Sequence, residues 1–415
     1  MKTIRRLFTC ATTLLAACAW LPTVHAASPD PALAHARELL EKVILIDGHN
    51  DAPWAIRVDK KAQGNVELYD LRNKPEGQTD IPRQRQGGVG GQFWSVYTPG
   101  EAPDHYARAQ LEQIDIATRM IAQYPDTFAF ARTAADIRAA HKNNKIASLL
   151  GLEGGHAIED SLGALRAYYD LGVRYMTLTH NTHTSWADSA ALPPQHGGLT
   201  PFGEEVVHEM NRIGMLVDLS HVAPETMDDA LRVSKAPVIF SHSSARALCD
   251  VPRNVPDDIL KRLPQNGGVV MVTFVAGFID PAVARVQQPA MAELSRRSAG
   301  LRLEQQEKLA AEIMGNLQLP KTSIAQVADH IEYIRKVAGV EHIGLGGDFD
   351  GNDAWPEGLS DVSMYPNLFA ELIRRGWSDH DLELLAGGNV LRALEQAEAV
   401  ARSMTGGSHK PISSK

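Results

Sequence analysis

The stretch VILIDGHNDAPW, residues 43–54, decides how this chain is read. Val43 to Ile46 is an aliphatic, β-branched run of the kind that forms a buried strand. It then breaks into Asp47, Gly48, His49, Asn50 and Asp51. Charged groups are costly to bury unless they are paired or bound to a metal. His49 and Asp51 are alternate residues, so on extended backbone both side chains project to one side. A core strand that ends in H-x-D therefore points to metal ligation, with Asp47 as a further support for His49.

The same pattern recurs along the chain. Apolar runs comparable to 43–47 appear at 92–98 (QFWSVYT), 147–153 (ASLLGLE), 174–180 (RYMTLTH), 215–221 (MLVDLSH), 237–242 (PVIFSH), 269–274 (VVMVTF) and 342–348 (HIGLGGD). Amphipathic helical stretches separate most of them, for example 105–123, 160–171, 203–213, 225–234 and 324–338. Strands that are apolar on both faces and alternate with helices imply a parallel sheet covered by helices. Eight such units predict an α/β fold closed as a (β/α)8 TIM-type barrel rather than an open sheet. The polar helical stretch 279–318 falls between the seventh and eighth runs. It reads as an insertion: a lid, a flank, an oligomer surface, or a solvated helix pair with no role.

Most of the runs finish on, or just before, a residue able to bind metal: His49 and Asp51, Glu153, His180, His221, His242 and Asp348. In a (β/α)8 barrel the C-terminal ends of the strands share one rim, where active sites are built. Each of these residues taken singly has an ordinary explanation, as a hydrogen-bonded rim histidine or a helix cap. Together they make a rim whose charges are most simply balanced by divalent cations. Imidazole and carboxylate without thiolate suit zinc, with manganese or cobalt as substitutes. The donors are too many for one four-coordinate ion and suit two ions about 3.5–4 Å apart that ionise a shared water near neutral pH. One carboxylate must then bridge, and Glu153 is the natural choice because its strand lies between the two groups.

These segments carry a resemblance. DGHNDAPW, GLEGGHAIED, LTHNTHTSWAD, VDLSHV, VIFSHSSARA, RNVPDD and GLGGDFDG, in this order from about residue 43 to 403, resemble the membrane (renal-type) dipeptidase family. Its members are binuclear zinc metallopeptidases of the amidohydrolase superfamily. The resemblance implies two zinc ions, one on His49, Asp51 and Glu153 and one on Glu153, His221 and His242. It implies that His180 steadies the substrate carbonyl and the oxyanion, and that Arg253 grips the C-terminal carboxylate of a dipeptide. Asp348 would shuttle a proton to the leaving amine after attack by a hydroxide shared between the ions, with Asp350 a lesser claimant. A homodimer is also implied. His183, Trp54 and Trp186 lie near the site in sequence, as pocket walls or as packing. Three departures from the animal enzymes concern side-chain preference and oligomer contacts: their disulfide cysteines are missing, HNTHTS replaces a Cys-containing loop, and 279–318 is added. The nearest alternative is another binuclear amidohydrolase, such as a lactonase or cyclic amidase, though those commonly begin with H-x-H and bridge through a carboxylated lysine. A metal- or peptide-binding protein without turnover is a third reading, set against by the presence of Asp348 and His180. Acceptance of D-residues or β-lactams is left open.

The bulk composition agrees with this reading. The chain has 415 residues, 44% hydrophobic and 22% charged, with a formal net charge of −9. That charge argues against a nucleic-acid partner. Lys2, Arg5 and Arg6, the apolar LFTCATTLLAACAWL and the small-residue VHA ending at Ala26 read as an export signal, residues 1–26, giving a periplasmic or secreted protein. The apolar run is short of the ~20 residues of a membrane span. LAAC is a rival cleavage motif that would leave Cys18 lipidated, and RRLF faintly resembles a twin-arginine signal. After the favoured cut, Cys249 is the single remaining cysteine of three, so stability must come from packing rather than an internal disulfide. Residues 27–403 form the expected catalytic domain, and the polar end 404–415 reads as a disordered tail.

Overall fold

The structure is a computed structural model that describes residues 30–73, 76–100, 105–298, 300, 301 and 303–406. The expected export signal, Cys18 and the tail beyond residue 406 lie outside the described residues.

Nine parallel strands form one sheet: β1 Leu45–Asn50, β2 Val89–Ser95, β3 Phe128–Phe130, β4 Ile146–Glu153, β5 Val173–Thr177, β6 Leu216–Asp218, β7 Val238–Ser243, β8 Val269–Val272 and β9 Ile343–Leu345. Their order is β2-β1-β9-β8-β7-β6-β5-β4-β3, and β2 also pairs with β4. That pairing runs from Gly91↔Ala147 to Ser95↔Gly151 and closes eight of the strands into the expected (β/α)8 barrel. Strand β3 is the element the sequence did not announce. It pairs with Ile146–Ser148 of β4, ahead of the stretch Leu150–Glu153 that pairs with β5. Three residues are too few to show a period, and only the partner strand makes them extended.

Helices lie between the strands where periodicity placed them, including Tyr106–Gln123, Leu162–Leu171, Pro201–Ile213, Pro224–Val233 and Ile324–Ala338. Pro201 at a helix start preceded by Thr200, whose side chain accepts from Gly203 N, shows the local logic: the missing N–H costs nothing there and the hydroxyl satisfies an orphan donor. The strands are buried on both sides. One apolar cluster joins Ile46, Phe93, Leu149, Tyr175, Leu216, Ile239 and Met271 with Val390, Leu394 and Ala397 of the last helix, Asn389–Met404. A larger cluster fills the layer between strands and outer helices. Between β8 and β9, helices Pro281–Ser298 and Leu303–Met314 pack on each other. Cys249 is buried and free, and burial pushes its thiol up to about 11. No helix among the described residues is long and apolar enough to cross a membrane.

Regular pairing stops short of several expected rim residues. His49, Glu153 and His242 lie inside β1, β4 and β7. His180, His221 and Asp348 stand three residues beyond the ends of β5, β6 and β9. His221 (φ 67°) and Asp348 (φ 64°) occupy the left-handed region, uncommon for residues with a side chain and typical of sites where surrounding structure holds the backbone.

Candidate metal centre and active site

Three groups of side chains place their ligand atoms within 4.8 Å of one another: His49, Asp51 and Glu153; Glu153, His221 and His242; and His49, His242 and Asp348. Glu153 joins the first two. Its Oε2 is 3.4 Å from His49 Nε2, while its Oε1 is 3.0 Å from His221 Nε2 and 3.4 Å from His242 Nε2. Asp51 Oδ2 is 3.3 Å from His49 Nε2. Gly351 packs so closely over the acids that a Cβ there would lie 2.3 Å from Asp51 Oδ2 and 2.5 Å from Asp348 Oδ1. Any side chain at this position would have to displace both carboxylates.

All three imidazoles turn Nε2 toward the shared carboxylate because Nδ1 is engaged behind them. His49 Nδ1 lies 2.9 Å from the Tyr175 hydroxyl, which donates to Gly48 O at 3.2 Å. Tyr175 is fully buried and its ring fills space above Gly151, where a Cβ would come within 2.0 Å of it. His221 Nδ1 lies 3.2 Å from Asn181 Oδ1, and His242 Nδ1 lies 2.9 Å from Ser241 Oγ. Sequence reasoning missed Tyr175, Asn181 and Ser241. Asn181 and Ser241 adjoin His180 and His242, a signal that could have found them, whereas nothing in the sequence ties Tyr175 to His49. Asp47 does not support the His49 ring, correcting that expectation. Its Oδ1 accepts from His49 N at 3.3 Å and Gly347 N at 2.8 Å, so it braces the backbones of β1 and the β9 turn.

His180 stands beside the cluster, its Nε2 3.9 Å from Glu153 Oε1 and its ring 4.3 Å from His221 and 4.8 Å from Tyr97. Trp54 packs edge-on to Tyr97 at 4.9 Å, which puts it near the site through that ring. Trp186 is buried against Phe202, and His183 bonds within its own loop to Ser189 N and Pro193 O. Arg253 is buried. Its Nη2 donates to His242 O at 3.4 Å, its guanidinium lies 5.2 Å from the Phe278 ring, and Nη1 makes no hydrogen bond. Burial lowers its pKa to about 10, opposed by the carboxylates of Asp348, Glu153 and Asp218, so it stays a cation at neutral pH. Asp350 turns away from the cluster, its Oδ1 accepting from Gln78 N at 2.8 Å.

At His221 and His242 the electrostatics favour ligation. Burial holds His180, His221 and His242 well below the ordinary imidazole range, as neutral rings with a lone pair to give. Burial opposes charge on His49, but Tyr175, Glu153 and Asp51 outweigh it and raise its pKa. Burial lifts the Asp348 carboxyl well above its usual range; Asp51 and Glu153 add to this, and His49 and Arg253 oppose it.

These residues fit divalent metal ligation. His221 Nε2 and His242 Nε2 are only 2.9 Å apart. Asn181 Oδ1 can only accept, so His221 Nδ1 carries the proton. Ser241 Oγ donates to Asp218 Oδ2 at 2.7 Å, so it accepts from His242 Nδ1. Both Nε2 atoms then carry lone pairs and cannot bond to each other; a cation facing both resolves the conflict. His49 Nε2 is likewise buried without a hydrogen bond, although two carboxylate oxygens lie around it.

Comparison with known proteins agrees. The profile of the membrane dipeptidase family (peptidase family M19) matches residues 33–408. Dipeptidase 3 of Rattus norvegicus is 42% identical over 384 residues, covering 91% of this chain and 70% of that protein. The crystal structure of the probable dipeptidase PvdM from Pseudomonas aeruginosa superposes with a TM-score of 0.78 at 26% identity, covering 90% of this chain and 100% of that one. A dipeptidase AC, described as a metallopeptidase of family M19, gives 0.71 at 26% identity, covering 86% and 98%. Since the likeness spans both the barrel and the rim that gathers these imidazoles and carboxylates, the chain belongs to the membrane dipeptidase family, peptidase family M19, and is a metallo-dipeptidase.

Proposed function

We propose that the protein is an exported, zinc-dependent enzyme that hydrolyses dipeptides with two cations per chain. Residues 27–403 form its catalytic domain, after a signal cut behind Ala26, and it works as a homodimer. His49, Asp51 and Glu153 hold one cation, and Glu153, His221 and His242 the other. The observation that carries this reading is Glu153, whose two oxygens face different imidazoles, Oε2 toward His49 at 3.4 Å and Oε1 toward His221 at 3.0 Å. Donors without thiolate support zinc.

When bound, the cations supply Lewis acidity toward a carbonyl oxygen and make water ionise near neutral pH. Arg253 sets the register of the substrate. Its unpaired Nη1 sits on a buried guanidinium suited to paired hydrogen bonds with a terminal carboxylate. A longer peptide has no carboxylate at that distance from the scissile bond, and this selects for dipeptides. His180, held neutral, donates from its ring to the carbonyl oxygen as negative charge develops there. Asp348, grouped with His49 and His242 beside the cluster, accepts the proton of the attacking water and passes it to the departing nitrogen.

The test is a hydrolysis screen of the zinc-reconstituted mature protein across L,L- and L,D-dipeptides, tripeptides, carboxyl-blocked dipeptides, lactones and cyclic amides, with elemental analysis of the same sample. The expected result is cleavage of free dipeptides, weak or no cleavage of tripeptides and blocked dipeptides, and two zinc ions per chain. Preferential cleavage of lactones or cyclic amides would replace this reading with that of another binuclear amidohydrolase. Mass spectrometry of protein from its native host should find a chain beginning at Ala27; a lipid on Cys18 would overturn the assigned cut.

A further inference from the structure

The three imidazoles that face Glu153 are backed by three different chemistries. His49 donates to a phenol and His221 to an amide oxygen, both neutral acceptors. His242 alone is backed by a charge. Its Nδ1 meets Ser241 Oγ at 2.9 Å, and Ser241 Oγ donates onward to Asp218 Oδ2 at 2.7 Å. Asp218 is fully buried and tightly held. Its Oδ1 accepts from Ser241 N at 2.8 Å and Ser220 N at 3.2 Å, and its Oδ2 also accepts from Thr177 Oγ1 at 2.5 Å. Every one of these contacts is a donor to an acceptor-only carboxylate, so the direction of the chain is determined: His242 N–H to Ser241 oxygen, Ser241 O–H to Asp218. Strands β6 and β7 lie side by side, Val217↔Val238 and Asp218↔Ile239, and the Asp218 carboxylate reaches forward along β7 to Ser241, two residues beyond its partner.

We infer that Asp218 and Ser241 are positioning residues for one cation site, acting through His242 to fix its tautomer and raise its donor strength. They leave the His49 site, backed by Tyr175, to independent control. This inference rests on the two-cation reading. A buried anion linked through one hydroxyl keeps the His242 proton on Nδ1 and the lone pair on Nε2, 3.4 Å from Glu153 Oε1. Outer partners of ligating histidines typically alter metal affinity by about 10- to 100-fold. The asymmetry therefore predicts two sites that empty separately.

The experiment uses the metal-loaded mature protein and the variants Ser241→Ala, Asp218→Asn and Tyr175→Phe. Each is dialysed against a graded series of zinc buffers and its zinc content is measured per chain. Ser241→Ala and Asp218→Asn should each release one ion of two at about 10- to 100-fold higher free zinc than wild type, while the second ion stays. Tyr175→Phe should also release one, and the Ser241→Ala/Tyr175→Phe double variant should release both. Ser241→Ala leaves the bonds from Thr177 and Ser220 to Asp218 in place, so it decides the matter if Asp218→Asn does not fold. A purely structural role would loosen both ions together and lower the melting temperature of the metal-free protein, and that result overturns the inference. So does Ser241→Ala retaining both ions at wild-type affinity. A wild type that holds fewer than two ions would instead overturn the two-cation reading itself.

Discussion

Glu153 and Glu293 are the same side chain in opposite circumstances. Glu293 lies on the helix Pro281–Ser298, its side chain 41% exposed, and pairs with Arg296 at 2.7 Å one turn along the same helix. Water solvates both partners, and exposed pairs of this kind are worth about 0–1 kcal/mol. Glu153 is 6% exposed and faces three histidines at the barrel rim. There the solvent is gone, and each charge depends on the few groups placed around it. The contrast teaches that a charged residue's consequence is set by what surrounds it. Substitutions at the rim should therefore abolish chemistry, and those in the helix pair should pass almost unnoticed.

The sharpest test of this contrast is Glu153→Gln. It keeps the shape and removes the charge that the two proposed sites share, so zinc occupancy should fall at both and kcat/KM for a dipeptide should drop by about 10³-fold or more. Full activity with both ions retained would break the comparison at its centre. Asp348→Asn comes next. It should lower kcat by about 10²- to 10⁴-fold, the range for a lost general acid–base, while zinc content stays near that of wild type. A loss of zinc matching the loss of rate would make Asp348 a ligand instead.

Arg253→Ala should lower kcat/KM for a dipeptide by about 10- to 100-fold through the loss of charge-assisted hydrogen bonds worth about 1.5–3 kcal/mol. Zinc content should hold, lysine should rescue in part because it cannot form the paired bonds, and the carboxyl-amidated substrate should respond little. Equal losses on both substrates would remove the carboxylate contact from the mechanism. The smallest effect belongs to Arg296→Ala in the helix pair. Its melting temperature should stay within about 2 °C of wild type, with kinetics unchanged. A large kinetic defect there would give 279–318 a working role that its exposed ion pairs do not suggest.

Much of the rim was legible before folding because strand signals are local. An apolar run that stops at a histidine or carboxylate marks a C-terminal strand end, and period two places His49 and Asp51 on one side. The turns after β6 and β9 were not legible. Nothing in VDLSH or GLGGDFDG reports that His221 and Asp348 take positive φ, since that conformation is imposed by the rim around them. Asp47 was misread for the same reason. As a neighbour of His49 in sequence it was an obvious support for the ring, but the strand carries its carboxylate to the backbone of Gly347.

What the sequence determined by itself was the set of parts: eight strand endings, their donors, the absence of thiolate among those donors, and a family pattern too long to arise by chance. Which atoms meet was decided by closure of the barrel. The Tyr175 hydroxyl reaches His49 across 126 positions, Asp218 meets Ser241 across 23, and Glu153 divides its oxygens between two groups of imidazoles. The physical reason is that period and spacing act within one strand, whereas these contacts lie between strands. Their distances follow from strand register and from the room left by a residue as small as Gly151, and neither exists until the strands have paired into the sheet.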